Sequence, residues 1–149
     1  MISVATPDDL PEICELLRAM HAENGVGQVN DEKALGVITQ RINDGGCMIC
    51  RQHGRLVGSV AIYKDTWWYS DEKVFFDQWF FVHPEFRAFG HATRLLAALK
   101  QACRNTGVPL VLHVGTPIDA LSKLKFFKKH LTPFGGSFVF YPDAGAKAA

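Results

Sequence analysis

Neither sign of charge dominates this sequence: 16 basic residues stand against 15 acidic ones, a formal net charge of +1 at pH 7. No broad field exists to draw duplex nucleic acid or an anionic membrane, so neither is expected as a partner. Long apolar runs are missing too, and none reaches the roughly 20 residues of a membrane-spanning helix. Cysteine is sparse, at Cys14, Cys47, Cys50 and Cys103. No basic segment leads from Met1 into an apolar signal core, and a reducing cytoplasm is the expected location. Cys47-Met48-Ile49-Cys50 does match C-x-x-C, but the companions of a zinc knuckle or the context of a redox pair are lacking. The pair lies in an apolar, strand-like run where cysteine serves as a small buried hydrophobe, so no metal is expected. Internal repeats, linkers and a G-x-G-x-x-G dinucleotide fingerprint are also absent.

What is present is a 48% hydrophobic content over 149 residues, enough for one packed core. Met1 to Ala5 alternates like a strand. Thr6-Pro7-Asp8-Asp9 then supplies a cap, a first-turn proline and acidic residues for a helix whose apolar face is Leu10, Ile13, Leu17 and Met20. A second helix is predicted over Asp31 to Asn43, with Leu35, Ile38 and Ile42 sharing a face and Gly45-Gly46 ending it. Cys47 to Gln52 and Leu56 to Tyr63 read as a hairpin about His53-Gly54-Arg55, and Val74 to Val82 as a third strand in this region. Ala92, Leu95, Leu96, Leu99 and Cys103 repeat at helical spacing, closed by Asn105-Thr106-Gly107. Leu110 to Val114 is predicted as a short buried strand, Ile118 to His130 as a lysine-rich helix, and Phe134 to Tyr141 as a last strand. Residues 142–149 are expected to form a flexible tail. The order implies an α/β fold: a mixed, mostly antiparallel sheet with helices on both faces, in one domain spanning residues 1–141.

The most informative stretch is Val82 to Leu96. A glycine-bearing loop there joins a strand to a helix, where unpaired backbone N–H groups and the helix dipole together favour an anion such as pyrophosphate. Arg87-Ala88-Phe89-Gly90-His91-Ala92 matches a more specific pattern: arginine or glutamine, two residues, glycine, one residue, glycine or alanine. Val82-His83-Pro84 before it and Leu95-Leu96 after it match as well. With these residues and this order of elements, the chain resembles the GNAT family of N-acetyltransferases from Met1 to about Tyr141.

That resemblance implies acetyl-coenzyme A as donor, with no metal. It implies that the backbone from Arg87 through Ala88, Phe89, Gly90, His91 and Ala92 to Thr93 holds the pyrophosphate, Gly90 and Ala92 staying small so that phosphate can approach. It further implies that Phe80, Phe81 and Val82 pair with the pantetheine amides like an added strand, and that Leu110 to Val114 splays away to make room. Phe127 stands where many members carry a tyrosine general acid, beside the cofactor. Lys123, Lys125, Lys128 and Lys129 either favour the phosphates or form a solvated helix face.

Transfer to an amine requires that amine to be neutral. An ordinary alkylammonium costs about 4.6 kcal/mol to deprotonate at pH 7, against about 2 kcal/mol for a thiol, so base work outweighs acid work. The glutamate some members use as base falls at Gln78 here, an amide. Asp77 is the candidate in its place, although alternation points it to the opposite face unless a bulge intervenes. Asp71, Glu72 and His113 could act through water, while His113, on the strand expected to be buried, also reads as a core histidine. With Phe127 unable to donate, thiolate protonation falls to water, Ser122 or Tyr141. No cysteine occupies a nucleophile position of the family, so direct attack in a ternary complex is expected. Trp67-Trp68-Tyr69 lines an acceptor pocket, forms a contact in a possible homodimer, or covers the end of the core. The expected acceptor is a primary amine on a small molecule or a protein. A non-catalytic module that binds coenzyme A or a protein partner is the alternative, motivated by Phe127 and Gln78.

Overall fold

The computed structural model describes residues 1–115 and 118–142; the expected tail beyond Pro142 lies outside the described residues. Five strands form one sheet in the order β1 (Ile2–Val4), β2 (Cys47–Gln52), β3 (Arg55–Thr66), β4 (Lys73–Val82) and β5 (Leu110–Val111). All neighbours are antiparallel except β4 and β5, which run parallel. β2 and β3 are joined by a tight turn in which both central residues, His53 and Gly54, have positive φ. That backbone twist matches the twist of the flanking strands, and the glycine adopts it without strain.

Period-two alternation sorts the strand side chains onto two faces. Cys47, Ile49, Ala61, Trp79 and Phe81 pack with Ile13 and Leu16 of α1 (Leu10–Asn24) and with Ile38 and Ile42 of α2 (Asp31–Asn43). Cys50, Val57, Val60, Ile62 and Val82 pack with Leu95 and Leu99 of α3 (His91–Thr106) on the other face. Thr6 N–H donates to the Asp9 carboxylate at 2.8 Å before α1, and the Asn30 side chain accepts from Lys33 N–H at 2.9 Å at the start of α2. Both contacts satisfy helix-end donors that would otherwise be unpaired.

Several expectations need correction. Leu16, not on the anticipated face of α1, is buried, whereas Leu35 of α2 is exposed. Only Leu110 and Val111 of the fifth strand pair, and His113 is exposed, so the stretch is not a buried strand. The last helix, α4, covers Ala120–His130. Phe134 to Tyr141 forms no strand, and Phe134, Phe138, Val139 and Phe140 are exposed. Strand propensity expresses packing against a neighbour, and a two-residue β5 offers almost no edge on which a further strand could form.

Cys47 and Cys50 also separate. They lie three apart on a strand, so their thiols point to opposite faces and belong to different core clusters. Burial raises both thiols above the ordinary range, Cys50 to about 11. A shared metal or disulfide is geometrically closed to them.

Candidate acetyl-donor cleft

The register of β3 against β4 slips by one residue at the middle of the pair. Ala61 faces Trp79, but Ile62 faces Asp77, leaving Gln78 as the extra residue of a bulge. Cross-strand partners share a face. Since Ile62, Phe80 and Val82 belong to the α3 side, the bulge carries Asp77 onto that side as well. This is the condition under which Asp77 escapes the opposite face.

Pairing between β4 and β5 stops at Phe76 with Val111, just before the bulge. Beyond that point, among the described residues, no strand lies beside the edge of β4 facing away from β3. His83 N–H donates to Val57 C=O at 2.8 Å. His83, Phe81 and Trp79 therefore direct their backbone groups toward β3, while Phe80 and Val82 direct theirs to the open edge. The gap is a cleft of about 520 Å³. One wall is β4 from Asp77 to Val82, the other is Leu112 to Gly115, and Ser122, Lys123, Phe126 and Phe127 of α4 cover it. Phe127 meets Phe80 edge-on, with ring centroids 5.4 Å apart.

The glycine loop closes one end. After a short 3-10 turn, Pro84–Phe89, Gly90 adopts φ 73° and ψ 14° as the residue preceding α3. A Cβ added there would meet nothing nearer than the Arg94 guanidinium at 3.5 Å, so the protein leaves the space above the loop open. α1 and α2 carry acidic residues in their first turns, but α3 has none. The N–H groups and dipole at its start can favour an anion.

Of the anticipated donor-site residues, Phe80, Phe81, Val82, Arg87, Ala92 and Phe127 line the cleft together with Asp77. Ala88, Phe89, Gly90 and Thr93 are exposed around the start of α3. His91 departs from the rest because its side chain is turned inward and buried. Its Nε2 lies 2.6 Å from Gln52 Oε1, and its Nδ1 lies 3.0 Å from Arg94 Nη2. Only the backbone of His91 can face a ligand at the loop. Arg94, which also donates to Phe89 C=O at 2.8 Å, was not anticipated. Its signal was a cation in the first turn of a helix, against the dipole.

The Arg87 guanidinium is already engaged. Nη2 contacts both carboxylate oxygens of Glu23 at 2.9 and 2.8 Å, and Nε donates to Val82 C=O at 3.0 Å. Lys123 Nζ donates to Asn24 Oδ1 at 2.9 Å and lies 4.0 Å from Glu23. Burial lowers the Lys123 ammonium from its ordinary value, while nearby Glu23 opposes the shift. α1 is thereby tied to the loop and to α4. Lys125, Lys128 and Lys129 are exposed and do not line the cleft.

At the bulge, Asp77 Oδ1 accepts from His113 N–H at 2.9 Å and lies 3.0 Å from His113 Nδ1. Phe76 stacks against the His113 ring at 6.2 Å, and Trp67 meets Phe76 edge-on at 5.3 Å. Tyr69 and Phe134 extend this aromatic group over Trp67. Trp68 is almost fully exposed. Ser122 lines the cleft, whereas Tyr141 does not. Among the described residues no group of His, Cys, Asp and Glu could hold a metal ion, and no helix is long and apolar enough to cross a membrane.

Residues 10–131 match the model of the acetyltransferase (GNAT) family. No curated protein matches the chain. Among solved structures, it is similar to a GCN5-related N-acetyltransferase from Ralstonia eutropha JMP134, with 18% identity, 97% of this chain and 99% of that one covered, and a TM-score of 0.73. A ribosomal-protein-alanine N-acetyltransferase from Brucella melitensis biovar Abortus 2308 shares 19% identity over 95% of this chain and 99% of its own, at a TM-score of 0.69. The aminoglycoside N-acetyltransferase AAC(6')-Iy in complex with CoA shares 19% over 97% and 94%, at a TM-score of 0.72.

Proposed function

The chain belongs to the GNAT family of acetyltransferases, and from that premise we propose that it moves the acetyl group of acetyl-coenzyme A to a primary amine by direct attack in a ternary complex. The observation that carries this reading is the stretch of β4 left without a neighbour beside a glycine loop. An extended pantetheine arm can add to that edge as a strand does, through the backbone groups of Phe80 and the N–H of Val82. Its pyrophosphate would meet the N–H groups between Arg87 and Thr93, over the space that Gly90 leaves free. When bound, the donor supplies a thioester carbonyl for attack, and a backbone N–H on the open edge can polarise it without any side chain.

Cysteine has no part in the proposed route. Cys47 and Cys50 are buried in the sheet, and neither Cys14 nor Cys103 lines the cleft. Carboxylates of Asp77 and Asp119 line the cleft together with the cations Arg87 and Lys123, a balance of charge that offers little to select a polycation of the aminoglycoside type. One catalytic domain over residues 1–141 accommodates the whole scheme.

The second reading, a module that binds coenzyme A without turnover, draws on Phe127, which puts a ring without a hydroxyl at the family's usual acid position. Titration of acetyl-coenzyme A by calorimetry, alongside thiol release across a panel of small amines and peptides, separates the two. Amine-dependent thiol release supports the enzyme. Binding with no release from any acceptor supports the module.

A further inference from the structure

The Asp77–His113 pair has a division of labour built into its geometry. Both His113 N–H and His113 Nδ1 meet the same oxygen of Asp77. The Asp77 side chain is 10% exposed and that of His113 55% exposed, so one partner is set in the wall while the other reaches into the opening. A carboxylate oxygen only accepts, so Nδ1 carries a proton and, in the neutral ring, Nε2 presents its lone pair. The bulge at Gln78 turns Asp77 onto the α3 face of β4, at the point where pairing with β5 ends and His113 follows.

Resting on the acetyltransferase reading above, we propose that His113 is the general base that deprotonates the acceptor ammonium, and that Asp77 is a positioning residue that fixes its tautomer and orientation. His113 Nε2 takes one proton from the ammonium, which frees the nitrogen lone pair. The N–C bond then forms as the carbonyl π pair moves to oxygen, and the C–S bond breaks as that pair returns. The thiolate takes up one proton, the nitrogen sheds a second, and the balance is an amide, a free thiol and one proton to solvent. Asp77 is poorly placed to be the base itself, since its side chain is largely buried and its Oδ1 is already engaged twice by His113. The other ionisable side chains lining the cleft are Arg87, Asp119 and Lys123, and Glu23 lies against both of those cations.

The test compares wild type, His113→Gln, Asp77→Ala and Asp77→Asn with acetyl-coenzyme A and two acceptors, benzylamine and aniline, from about pH 6 to about pH 10. His113→Gln should lose roughly 10²-fold in kcat/KM on benzylamine near neutrality, a typical share for general base catalysis. That loss should shrink as rising pH deprotonates the amine in solution. Aniline, already neutral, should show little loss. Asp77→Ala should follow His113→Gln in part, with Asp77→Asn restoring some of the rate because its amide oxygen can still accept. In the free protein, imidazole ¹⁵N spectra should show His113 protonated at Nδ1, and a mixture of tautomers in Asp77→Ala.

A loss equal for both amines and at every pH would make His113 merely structural, and a spectrum showing the Nε2–H tautomer in wild type would overturn the division of roles. Full activity of His113→Gln in an active wild-type background would remove the base assignment alone. No transfer by wild type to any acceptor, including the broader amine panel, would remove the acetyltransferase reading and this inference with it.

Discussion

Arg87 and Glu23 form a two-point ion pair that joins the loop preceding α3 to the end of α1, with Nη2 at 2.9 and 2.8 Å from the two carboxylate oxygens. The same guanidinium caps Val82 C=O on the open edge of β4. The Arg87 side chain is 38% exposed, so solvent screens the pair and its stabilisation is set at about 1 kcal/mol. Glu23→Gln and Arg87→Ala should each lower the melting temperature, and a double-mutant cycle should return coupling of about that size. Arg87→Ala should also weaken acetyl-coenzyme A binding, because the loop loses its tie to α1. Unchanged affinity in calorimetry would show that the loop holds its shape without the pair.

Gly90 is constrained twice, and the constraints can be separated. Its φ of 73° lies in the left-handed region, where a Cβ costs roughly 1–2 kcal/mol. The space around it is otherwise open. Gly90→Ala should therefore lower stability by about that amount, seen in denaturant unfolding, with a moderate loss of donor affinity. Gly90→Asp adds a negative charge at the helix end facing the proposed pyrophosphate and should abolish binding. Equal affinity of Gly90→Asp and wild type would count against the phosphate-loop reading.

Much of this was legible in the sequence because local chemistry dictated it. Cap residues marked α1, an apolar face and a Gly45-Gly46 stop marked α2, a turn with a glycine marked the β2–β3 hairpin, and Gly90 between an apolar strand and an apolar-faced helix marked the loop. Less legible features depended on neighbours distant in the chain. Gln78 becomes a bulge only against Ala61 and Ile62 of β3, and the inward turn of His91 needs Gln52 of β2. Phe134 to Tyr141 has strand composition, but none of the described strands pairs with it. His113 was expected to lie on a buried strand, yet pairing ends at Val111 and exposes its ring.

Phe127 lines the cleft and packs edge-on against Phe80, where a tyrosine would present a hydroxyl from the same ring. If no group now protonates the leaving thiolate, Phe127→Tyr should leave kcat unchanged or raise it up to about 10²-fold, the lower range for a general acid. Affinity for acetyl-coenzyme A should stay the same, because ring size and packing are kept. A large drop in kcat with weakened binding would show that the apolar ring edge itself is required.

His91 supplies a pH dependence that can be assigned to one side chain. Burial, then the neighbouring Arg94 guanidinium, lowers its basicity below that of an ordinary imidazole. The neutral ring donates from Nε2 to Gln52 and accepts at Nδ1 from Arg94, so protonation at Nδ1 removes the second contact. The unfolded chain binds this proton more readily than the folded one, and stability must fall as pH drops below the ordinary imidazole value of about 6.5. Asp9 and Glu12 act in a different window. Hydrogen bonds, chiefly from the Thr6 backbone to Asp9 and from Arg51 to Glu12, hold both carboxyls below the ordinary range, so their contribution is retained until more acidic pH. Between pH ~7 and pH ~5 the melting temperature of wild type should fall by about 2–4 °C, the equivalent of one lost hydrogen bond worth ~1 kcal/mol. His91→Gln should start lower at pH ~7 and lose most of that slope. An equal slope in the two proteins would place the acid sensitivity elsewhere.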